Sequence, residues 1–260
     1  TLSHLKSDLE FDGQKLLFKH PKDGKLLQAN FDHCFWSSDG FSTNEQGYHY
    51  PTEDRYADQT KVYSTLGVEM VNNVFNGEDA TFITYGGTAS GQFYTAVGRG
   101  SNRGLLPNCV EEVLRKINEE KSSNIVFKLY LSAYEIYCEK IIDLLDPQSK
   151  LSKNGLKLRE EGGSTVVEGL KEVEITSLQD FNKYLEESRK NAISGKNMMN
   201  SETRRGHSIY VVKLEKSQRE DNETKTTSSQ MTFAVLTGPE KIAKSGGVQG
   251  DALKEITTIN

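Results

Sequence analysis

The hydrophobic and polar positions follow two periodicities, which predict that helices and strands alternate along the chain. Apolar residues that recur every three or four positions predict helices over 59–75, over 108–120 and from Ser177 onward. Runs rich in β-branched and aromatic residues predict strands within 9–18, 26–35, 80–85, 125–136, 209–214 and 231–236. Helices that alternate with buried strands are typical of an α/β domain, here with three layers around a central, mostly parallel sheet.

Three connections carry loop or turn signals. Residues 36–58 are polar and predict a long loop. The charged stretch 215–229 predicts a solvated, mobile connection between two strands. Residues 138–145 are expected to leave the preceding strand as a short helix that ends before Pro147.

Two local signals are sharper. The pair Gly162-Gly163 predicts a tight turn between the strands of a small hairpin. Ser177 is expected to cap the helix that follows it, with Asp180 as its capping-box partner.

The most informative stretch follows the predicted strand over 80–85 and has the layout of a phosphate-binding loop. In the working form, G-x-x-x-x-G-K-[ST], backbone N–H groups surround a phosphate, the Lys reaches its outer oxygens, and the Ser or Thr hydroxyl ligates Mg²⁺. The chain keeps this glycine spacing but has Gln92 and Phe93 at the Lys and Ser/Thr positions. We therefore expect the loop to keep its shape and lose its chemistry. The candidate residues of this degenerate nucleotide site are Gly86, Gly87, Thr88, Ala89, Ser90, Gly91, Gln92, Phe93 and Tyr94.

Length, composition and charge indicate a soluble globular protein that forms one domain. The 260 residues are enough to bury a full core, and 35% of them are hydrophobic while 27% are charged. The net charge of −5 argues against a nucleic-acid partner. No apolar run reaches the roughly 18–20 residues of a membrane span, and no signal-peptide pattern opens the chain. Scattered cysteines without metal-ligand spacing indicate reduced thiols and a cytoplasmic location: Cys34, Cys109 and Cys138.

Several segments, in order along the chain, resemble the signature motifs of kinesin motor domains. Tyr85 to Thr95 resembles their A-Y-G-Q-T-G-S-G-K-T-Y-T run. Further matches are Phe31 to Phe35 (F-D-x-V-F), Gly104 to Pro107 (G-I-I-P), Tyr134 to Leu145 (Y-x-E-I-Y-N-E-x-I-x-D-L-L), Asn200 to Ile209 (N-x-E-S-S-R-S-H-S-I, switch I), Val235 to Lys241 (D-L-A-G-S-E-K, switch II) and Gly246 to Asn260. On these matches the protein is identified as a member of the kinesin motor-domain family, closest in character to fungal conventional-type kinesins. The resemblance implies a kinesin-like P-loop NTPase core.

The resemblance also shows which of the family's functional residues are replaced. The P-loop Lys and Thr are Gln92 and Phe93, and the switch II Asp, which holds the water shell of Mg²⁺, is Val235. The resemblance assigns switch I to Asn200, Thr203, Arg204, Arg205, Gly206 and His207, and switch II to Val235, Gly238 and Glu240. Phosphoryl transfer depends on positioning and charge stabilisation, so these losses should remove most of the catalysis. We expect no catalytic residue, no metal site and no cofactor, and we expect ATP or ADP with Mg²⁺ to bind only if the site is compensated.

Other positions match the family and leave two interpretations open. Arg205 and Glu240 match a pair that bridges the two switches, and Tyr94 matches the aromatic residue that stacks on adenine. Either these residues preserve a nucleotide pocket, or the pair is a structural salt bridge and Tyr94 is an ordinary core residue. Arg204 is a candidate to replace the missing phosphate-binding charge, with an exposed arginine as the alternative. His207 has no partner at catalytic spacing, and the other histidines are scattered.

The ends of the chain lack two parts of the family pattern. Nothing before Phe11 resembles the first strand with its R-x-R-P motif, and the sequence ends at Asn260, where the switch II helix begins in the family. We therefore expect residues 1–260 to be a single motor-domain core, truncated at both ends, without the first strand and the C-terminal microtubule-binding helices. Tubulin or microtubules are then partners through elements outside this fragment. A coiled coil outside it would join a kinesin-like dimer partner.

Three functions remain open on these grounds. We favour a non-catalytic kinesin-like domain that acts as a binding or regulatory partner in the microtubule cytoskeleton. The alternative is a divergent ATP-dependent motor for microtubule-based movement, in which Arg204 and backbone amides compensate the nucleotide site. A third is a scaffold that binds neither nucleotide nor tubulin. Gln92, Phe93 and Val235 discriminate among them, because the motor requires all three to be compensated.

Overall fold

The computed structural model describes residues 9–12, 14–20, 22–87, 90–152, 154–197, 200–204, 206–220, 223–238 and 258. The chain divides into two compact units, residues 1–61 and residues 62–260. The expectation of one motor-domain core over 1–260 stays a prediction. None of the described helices is long and apolar enough to cross a membrane.

The elements are numbered in chain order. The strands are β1 (Leu9–Asp12), β2 (Lys15–Lys19), β3 (Leu26–Asn30), β4 (Phe41–Thr43), β5 (His49–Pro51), β6 (Ala80–Thr84), β7 (Gly98–Arg99), β8 (Asn102–Arg103), β9 (Ile125–Tyr137), β10 (Lys140–Asp143), β11 (Lys157–Glu161), β12 (Ser164–Glu168), β13 (Val173–Glu174), β14 (Ser194–Asn197), β15 (Asn200–Arg204), β16 (His207–Glu220) and β17 (Glu223–Val235). The helices are α1 (Gln59–Val62), α2 (Val68–Phe75), α3 (Gln92–Ala96), α4 (Leu105–Glu120) and α5 (Leu178–Asn191), with a π-helical turn over Tyr63–Gly67 and a 3₁₀ helix over Pro147–Leu151.

The first unit contains two small antiparallel sheets, β1-β2-β3 and β4-β5. A turn joins β2 to β3, and in it Gly24 takes a left-handed φ of +66°. The β4-β5 hairpin lies within 36–58, where we expected only a loop. Phe41 at the start of β4 stacks on Tyr56 with 4.9 Å between the ring centroids. Aromatic packing therefore orders a stretch whose composition is mostly polar.

A six-stranded mixed sheet forms the centre of the second unit, in the order β10-β9-β16-β17-β6 with β13 beside β9. The expected α/β fold, with helices packed on a central sheet, is confirmed. The strand directions differ from the expectation, because only β17 and β6 are parallel neighbours and the other pairs are antiparallel. Strands that follow each other through tight hairpin turns must run antiparallel, and two such pairs, β9-β10 and β16-β17, belong to this sheet.

The core lies between the sheet and the helices of the second unit, where α4 contacts α2, α3 and α5. Alternate residues of the three long strands face it: Leu129, Leu131 and Ala133, then Tyr210, Val212 and Leu214, then Met231, Phe233 and Val235. The helices contribute Val71, Val74, Leu105, Leu106, Cys109, Val110, Val113, Phe181 and Leu185. Helix α4 begins three residues before the expected 108, because Leu105 and Leu106 are fully buried and Pro107 is tolerated in a first turn.

Two expectations for the connections are wrong. Within 138–145, residues 140–143 form β10 rather than a helix, because Ile141 and Ile142 gain burial by pairing with β9. The turn between the two strands has positive φ at both Cys138 and Glu139, +47° and +62°, as a type I′ hairpin turn requires.

The stretch 215–229 is also not a loop. β16 and β17 continue to Glu220 opposite Glu223, and β9 pairs with β16 as far as Gln218. The hydroxyls of Ser217 and Thr226 hydrogen-bond across this hairpin at 2.9 Å. Backbone pairing with a neighbour on the β9 side allows a strand here despite its polar composition.

The two sharper local predictions are confirmed. β11 and β12 pair around Gly162 and Gly163, whose φ values are +60° and +84°. The Ser177 hydroxyl accepts from the Asp180 backbone N–H at 3.1 Å at the start of α5. The Asp180 carboxylate reaches back to the N–H and hydroxyl of Thr176, at 3.3 and 2.6 Å, one residue before the cap. The Thr176 hydroxyl bond, joined by the bond from Ser177, lowers the pKa of Asp180.

Candidate functional site

The candidate phosphate-binding loop lies between β6 and α3, as the sequence predicts. β6 ends at Thr84, and Gly91 precedes α3 with a left-handed φ of +94°. A glycine takes this conformation without strain, so the chain can turn directly into the helix. Thr88 and Ala89 lie outside the described residues.

The side chain of Gln92 turns back into the loop. Its Nε2 donates to the Gly86 carbonyl at 2.6 Å. Ser90 occupies the space beside the same glycine, since a Cβ on Gly86 would lie 2.4 Å from the Ser90 Oγ. The Ser90 backbone N–H donates to the Gly87 carbonyl at 3.0 Å. In the described part of the loop, hydrogen bonds therefore join Gly86 to Gln92 and Gly87 to Ser90.

Phe93 packs against the core and against a cation from another helix. The Arg189 guanidinium of α5 lies 5.2 Å from the centroid of the Phe93 ring. Arg189 also donates to the Gly98 carbonyl at 3.0 Å and to the Glu186 carboxylate at 2.7 Å. Where the motif has a hydroxyl for a metal, this chain has an apolar ring that joins α3 to α5. Nothing in the local sequence around Arg189 indicated this role.

The switch II candidates begin at the end of β17. Val235 is its last residue, is 5% exposed and belongs to the core. The next N–H, that of Leu236, donates to the Thr84 carbonyl at 3.2 Å. The segment after β17 therefore lies beside the end of β6, where the loop starts. Gly238 is buried, and Glu240 lies outside the described residues.

The switch I candidates lie on a hairpin and on the strand that follows it. β14 and β15 pair antiparallel, and the backbones of Asn200, Thr203 and Arg204 belong to β15. Arg205 lies outside the described residues, so the expected Arg205–Glu240 salt bridge stays a prediction. The compensating role considered for Arg204 also stays a prediction.

Glu135 contacts the two ends of this hairpin, a role that the sequence motifs did not predict. It is fully buried, and its Oε2 accepts from the Ile193 N–H, just before β14, at 2.9 Å. Gly206, just after β15, lies against the same side chain, since a Cβ there would lie 2.3 Å from the Glu135 Cγ. One carboxylate side chain thus contacts both ends of the hairpin. A glutamate within an apolar strand run is the signal that could have found it, because buried carboxylates need specific partners.

His207 has a partner that sequence spacing could not show. The Thr237 backbone N–H donates to the His207 Nδ1 at 3.0 Å, and the Thr237 hydroxyl lies 3.2 Å from the same nitrogen. This contact joins the switch I and switch II candidates. Within the described part of the chain, no group of histidine, cysteine and acidic side chains is arranged to hold a metal.

Three positions that bind phosphate or metal in the working motifs carry side chains of a different chemistry in this chain. Gln92 is uncharged and is bonded to the loop itself, while Phe93 and Val235 pack in apolar surroundings. None of these three side chains offers a charge to a phosphate, and Phe93 and Val235 have no side-chain oxygen for Mg²⁺, an ion that requires oxygen ligands. Tyr94 is half-buried on α3, and its contact with a base stays a prediction.

Comparison with known proteins gives one consistent result. The kinesin motor domain family matches residues 16–260. Kinesin-like protein KIF28 of Rattus norvegicus is 30% identical over 256 residues, covering 97% of this chain and 24% of that protein. Kinesin-like protein KIF13B of Homo sapiens is 30% identical over 270 residues, covering 99% of this chain and 14% of that protein. The chain therefore spans about a quarter or less of the length of these relatives.

Solved structures agree with the sequence matches. A KIF14 fragment, residues 391–755, with ADP in complex with a microtubule, has a TM-score of 0.83 at 27% identity and covers 98% of this chain and 69% of its own. A KIF14 dimer with AMP-PNP on a microtubule has a TM-score of 0.85 at 27% identity and covers 98% of this chain and 68% of its own. The likeness to fungal conventional-type kinesins stays a prediction.

Proposed function

Because the chain belongs to the kinesin motor-domain family, we propose that it is a kinesin-like domain that does not hydrolyse ATP and acts as a binding or regulatory partner in the microtubule cytoskeleton. The hydrogen bond from Gln92 to the Gly86 carbonyl is the observation that carries this proposal. At the position from which a lysine would reach a phosphate, this chain has a neutral side chain, and that side chain bonds to the loop.

The other two losses act at the same site. Phe93 and Val235 replace both groups that would anchor Mg²⁺, and both lie against the core. Removing one transition-state contact of this kind commonly costs a few kcal/mol, and about 1.36 kcal/mol corresponds to a tenfold change in rate. Even with incomplete additivity, three losses leave turnover too slow to drive movement.

The microtubule part of the proposal is supported by the relatives. The KIF14 structures were determined in complexes with microtubules, and one of them is a dimer. We propose that this chain contributes to binding tubulin or a kinesin-like dimer partner in the cytoplasm. A kinesin fold whose loop is bonded to itself is better suited to a partner that stays in one conformation than to a motor that changes conformation as it hydrolyses ATP.

The first test is calorimetric titration of the chain with Mg·ATP and Mg·ADP. We expect no binding at micromolar concentrations, because the loop offers no compensating charge. The Gln92→Lys variant is the matched control. It should also show no binding of Mg·ATP or Mg·ADP at micromolar concentrations, because Phe93 and Val235 still provide no metal contact. The motor region of KIF13B, titrated in parallel, serves as the positive control.

The second test measures microtubule co-sedimentation and ATP turnover, on this chain and on one extended at its C-terminus. We expect the extended chain to sediment with microtubules without stimulated turnover. Micromolar nucleotide binding with stimulated turnover would overturn the proposal in favour of the compensated motor, and Arg204 would be the first residue to substitute. Absence of sedimentation in both chains would instead support the scaffold.

A further inference from the structure

The ladder between β16 and β17 ends with Ser208 opposite Val235. Beyond this pair a side chain continues the connection, because the Thr237 backbone N–H donates to the His207 Nδ1 at 3.0 Å. On the other side of the same segment, the Leu236 N–H donates to the Thr84 carbonyl at 3.2 Å. The segment after β17 is therefore held between the strand that leads into the loop and the first residue of β16.

The imidazole can make this contact in one protonation state only. A backbone amide is a donor, so the His207 Nδ1 must offer its lone pair and the ring proton must lie on Nε2. A protonated imidazole carries hydrogens on both nitrogens and can accept from neither side. The Thr237 hydroxyl oxygen, 3.2 Å from Nδ1, is then an acceptor within reach. The charged ring thus has a second bonding partner on the same residue.

We propose that His207 is a proton-sensitive latch between the switch I and switch II segments. The neutral ring holds the Thr237 amide and fixes the end of β17 to the start of β16. Protonation of the ring breaks this bond, moves the contact to the Thr237 hydroxyl and frees the Thr237 amide. The latch does not depend on the proposed function, because it acts on the two segments whether or not a nucleotide binds.

The register of the described strands places apolar residues opposite His207. Ile136 of β9 lies opposite it, and Ile141 of β10 lies opposite Ile136. The end of β17, from Val235 to Thr237, carries no titratable side chain. The other titratable groups of these strands nearby are Tyr134, Glu135 and Tyr137 on β9 and Lys140 and Asp143 on β10. Burial raises the pKa of Tyr134, so its phenol stays neutral across this range.

The carboxylate of Glu135 is the nearest acid among these groups in the register of β9. It lies one residue before Ile136 and opposite Ser208, so it projects to the other side of the sheet from His207. There it accepts from the Ile193 N–H at 2.9 Å. Glu135 therefore contributes to the hairpin base rather than to the latch contact.

The experiment is a pH titration of the ¹⁵N-histidine-labelled chain by NMR between pH 8 and pH 5, the range in which imidazoles ordinarily change charge. At pH 8 we expect the His207 ring to show the Nε2–H tautomer with an unprotonated, hydrogen-bonded Nδ1. As the ring gains its proton, exchange of the Thr237 amide, corrected for its intrinsic pH dependence, should accelerate at least tenfold with the same midpoint.

Two variants of the same position separate the latch from a general loss of stability. His207→Asn keeps an acceptor near the Nδ1 position without a titrating group, so Thr237 should stay protected at both pH values. His207→Phe should lose protection at both. His20→Asn removes an exposed histidine that bonds to Asp23 in the first unit and should leave the response unchanged.

An Nδ1–H tautomer at pH 8 would overturn the proposal, because that ring cannot accept from Thr237. An undiminished pH response in His207→Asn would overturn it too, since another group would then control the segment. If His207→Phe does not fold, the tautomer of the unmodified chain and the His207→Asn result still decide.

Discussion

The Gln92 side-chain amide donates to the Gly86 carbonyl at 2.6 Å, so the side chain at the Lys position of the motif bonds to the loop itself. A lysine at this position would project its charge towards a phosphate, whereas the shorter, neutral amide finds its partner within the loop. With Gln92 in place of a lysine, the loop therefore lacks a positive charge and gains a hydrogen bond within itself. Next to Gln92, Phe93 packs against the core and lies 5.2 Å from the Arg189 guanidinium.

The contact between Phe93 and Arg189 should be measurable as a coupling energy. Phe93→Ala should lower the free energy of unfolding by about 2 kcal/mol, less than the ~3–5 kcal/mol of a fully buried phenylalanine. Combined with Arg189→Met, the double-mutant cycle should give a coupling of about 1 kcal/mol from the cation and ring. Urea unfolding provides the measurement. Tyr85→Ala, at a residue that is 74% exposed, should change stability by less than about 0.5 kcal/mol. If the losses of unfolding free energy from Phe93→Ala and Arg189→Met were strictly additive, the proposed contact between the two side chains would be contradicted.

Gly206 should not tolerate a side chain. Gly206→Ala places a Cβ 2.3 Å from the Glu135 Cγ, so one of the two must move at a cost of about 1–3 kcal/mol. Gly87→Ala is the matched control, because no atom lies within 4 Å of a Cβ there. Thermal unfolding of both variants checks the difference. In a Glu135→Ala background the cost of Gly206→Ala should fall, and an unchanged cost would show that the clash is elsewhere.

The buried carboxylate of Asp143 should be intolerant of even an isosteric change. Its Oδ1 accepts from the N–H groups of Leu145 and Asp146 at 2.7 and 3.2 Å, and its Oδ2 accepts from the Lys171 N–H at 2.7 Å. Asp143→Asn turns an NH₂ group towards one of these donors and should cost about 2–3 kcal/mol. Denaturant unfolding would measure it. The Asp146 carboxylate accepts from the Gln148 N–H at 3.1 Å at the start of the 3₁₀ helix. Asp146→Asn keeps an oxygen for this bond and should cost under about 0.5 kcal/mol, so equal losses would contradict the argument.

The capping residue Asp180 should make stability depend on pH in the acid range. Hydrogen bonds, first from the Thr176 hydroxyl, lower the pKa of its carboxyl from an ordinary value of 3.8. The folded state therefore favours the ionised form, and the stabilisation is present above pH 3.8 and lost as pH falls through the lower folded pKa. Asp180→Asn should lower the melting temperature at pH 7, and the difference from the unmodified chain should shrink below pH 3.8.

Calorimetry across pH 7 to pH 3 would test this dependence. Thr176→Val removes the hydroxyl that donates at 2.6 Å and should weaken the pH dependence without abolishing it. A difference between Asp180→Asn and the unmodified chain that stays constant across this range would refute the assignment.

Local sequence was sufficient where the structure depends on neighbouring residues. The glycine pair Gly162-Gly163 predicts its hairpin because both positions require left-handed φ. Ser177 predicts the start of α5 because its hydroxyl satisfies a free N–H of the first turn. The spacing of Gly86 and Gly91 predicts a strand, a loop and a helix around Gln92, because glycines allow the backbone turns that the loop needs.

Local sequence was not sufficient where a distant strand supplied the partner. Ile141 and Ile142 fit a helix or a strand, and pairing with β9 decides for the strand. The polar residues of 215–220 have no apolar period, yet β9 and β17 hold them in a ladder. Strand pairing is a contact between segments, and one segment alone does not specify it.

The site divides along the same line. The residue types in the sequence determined that Gln92 and Phe93 stand at the Lys and Ser/Thr positions of the motif and that Val235 stands at the switch II aspartate position. The tertiary structure decided which contacts these positions and their neighbours make. Gln92 bonds to the Gly86 carbonyl, and Arg189 lies over the Phe93 ring. Glu135 and His207 accept from the N–H groups of Ile193 and Thr237, respectively. Which charges a chain carries is written in its sequence. Which atoms those charges and hydrogen-bonding groups meet depends on distances that only the packed fold establishes.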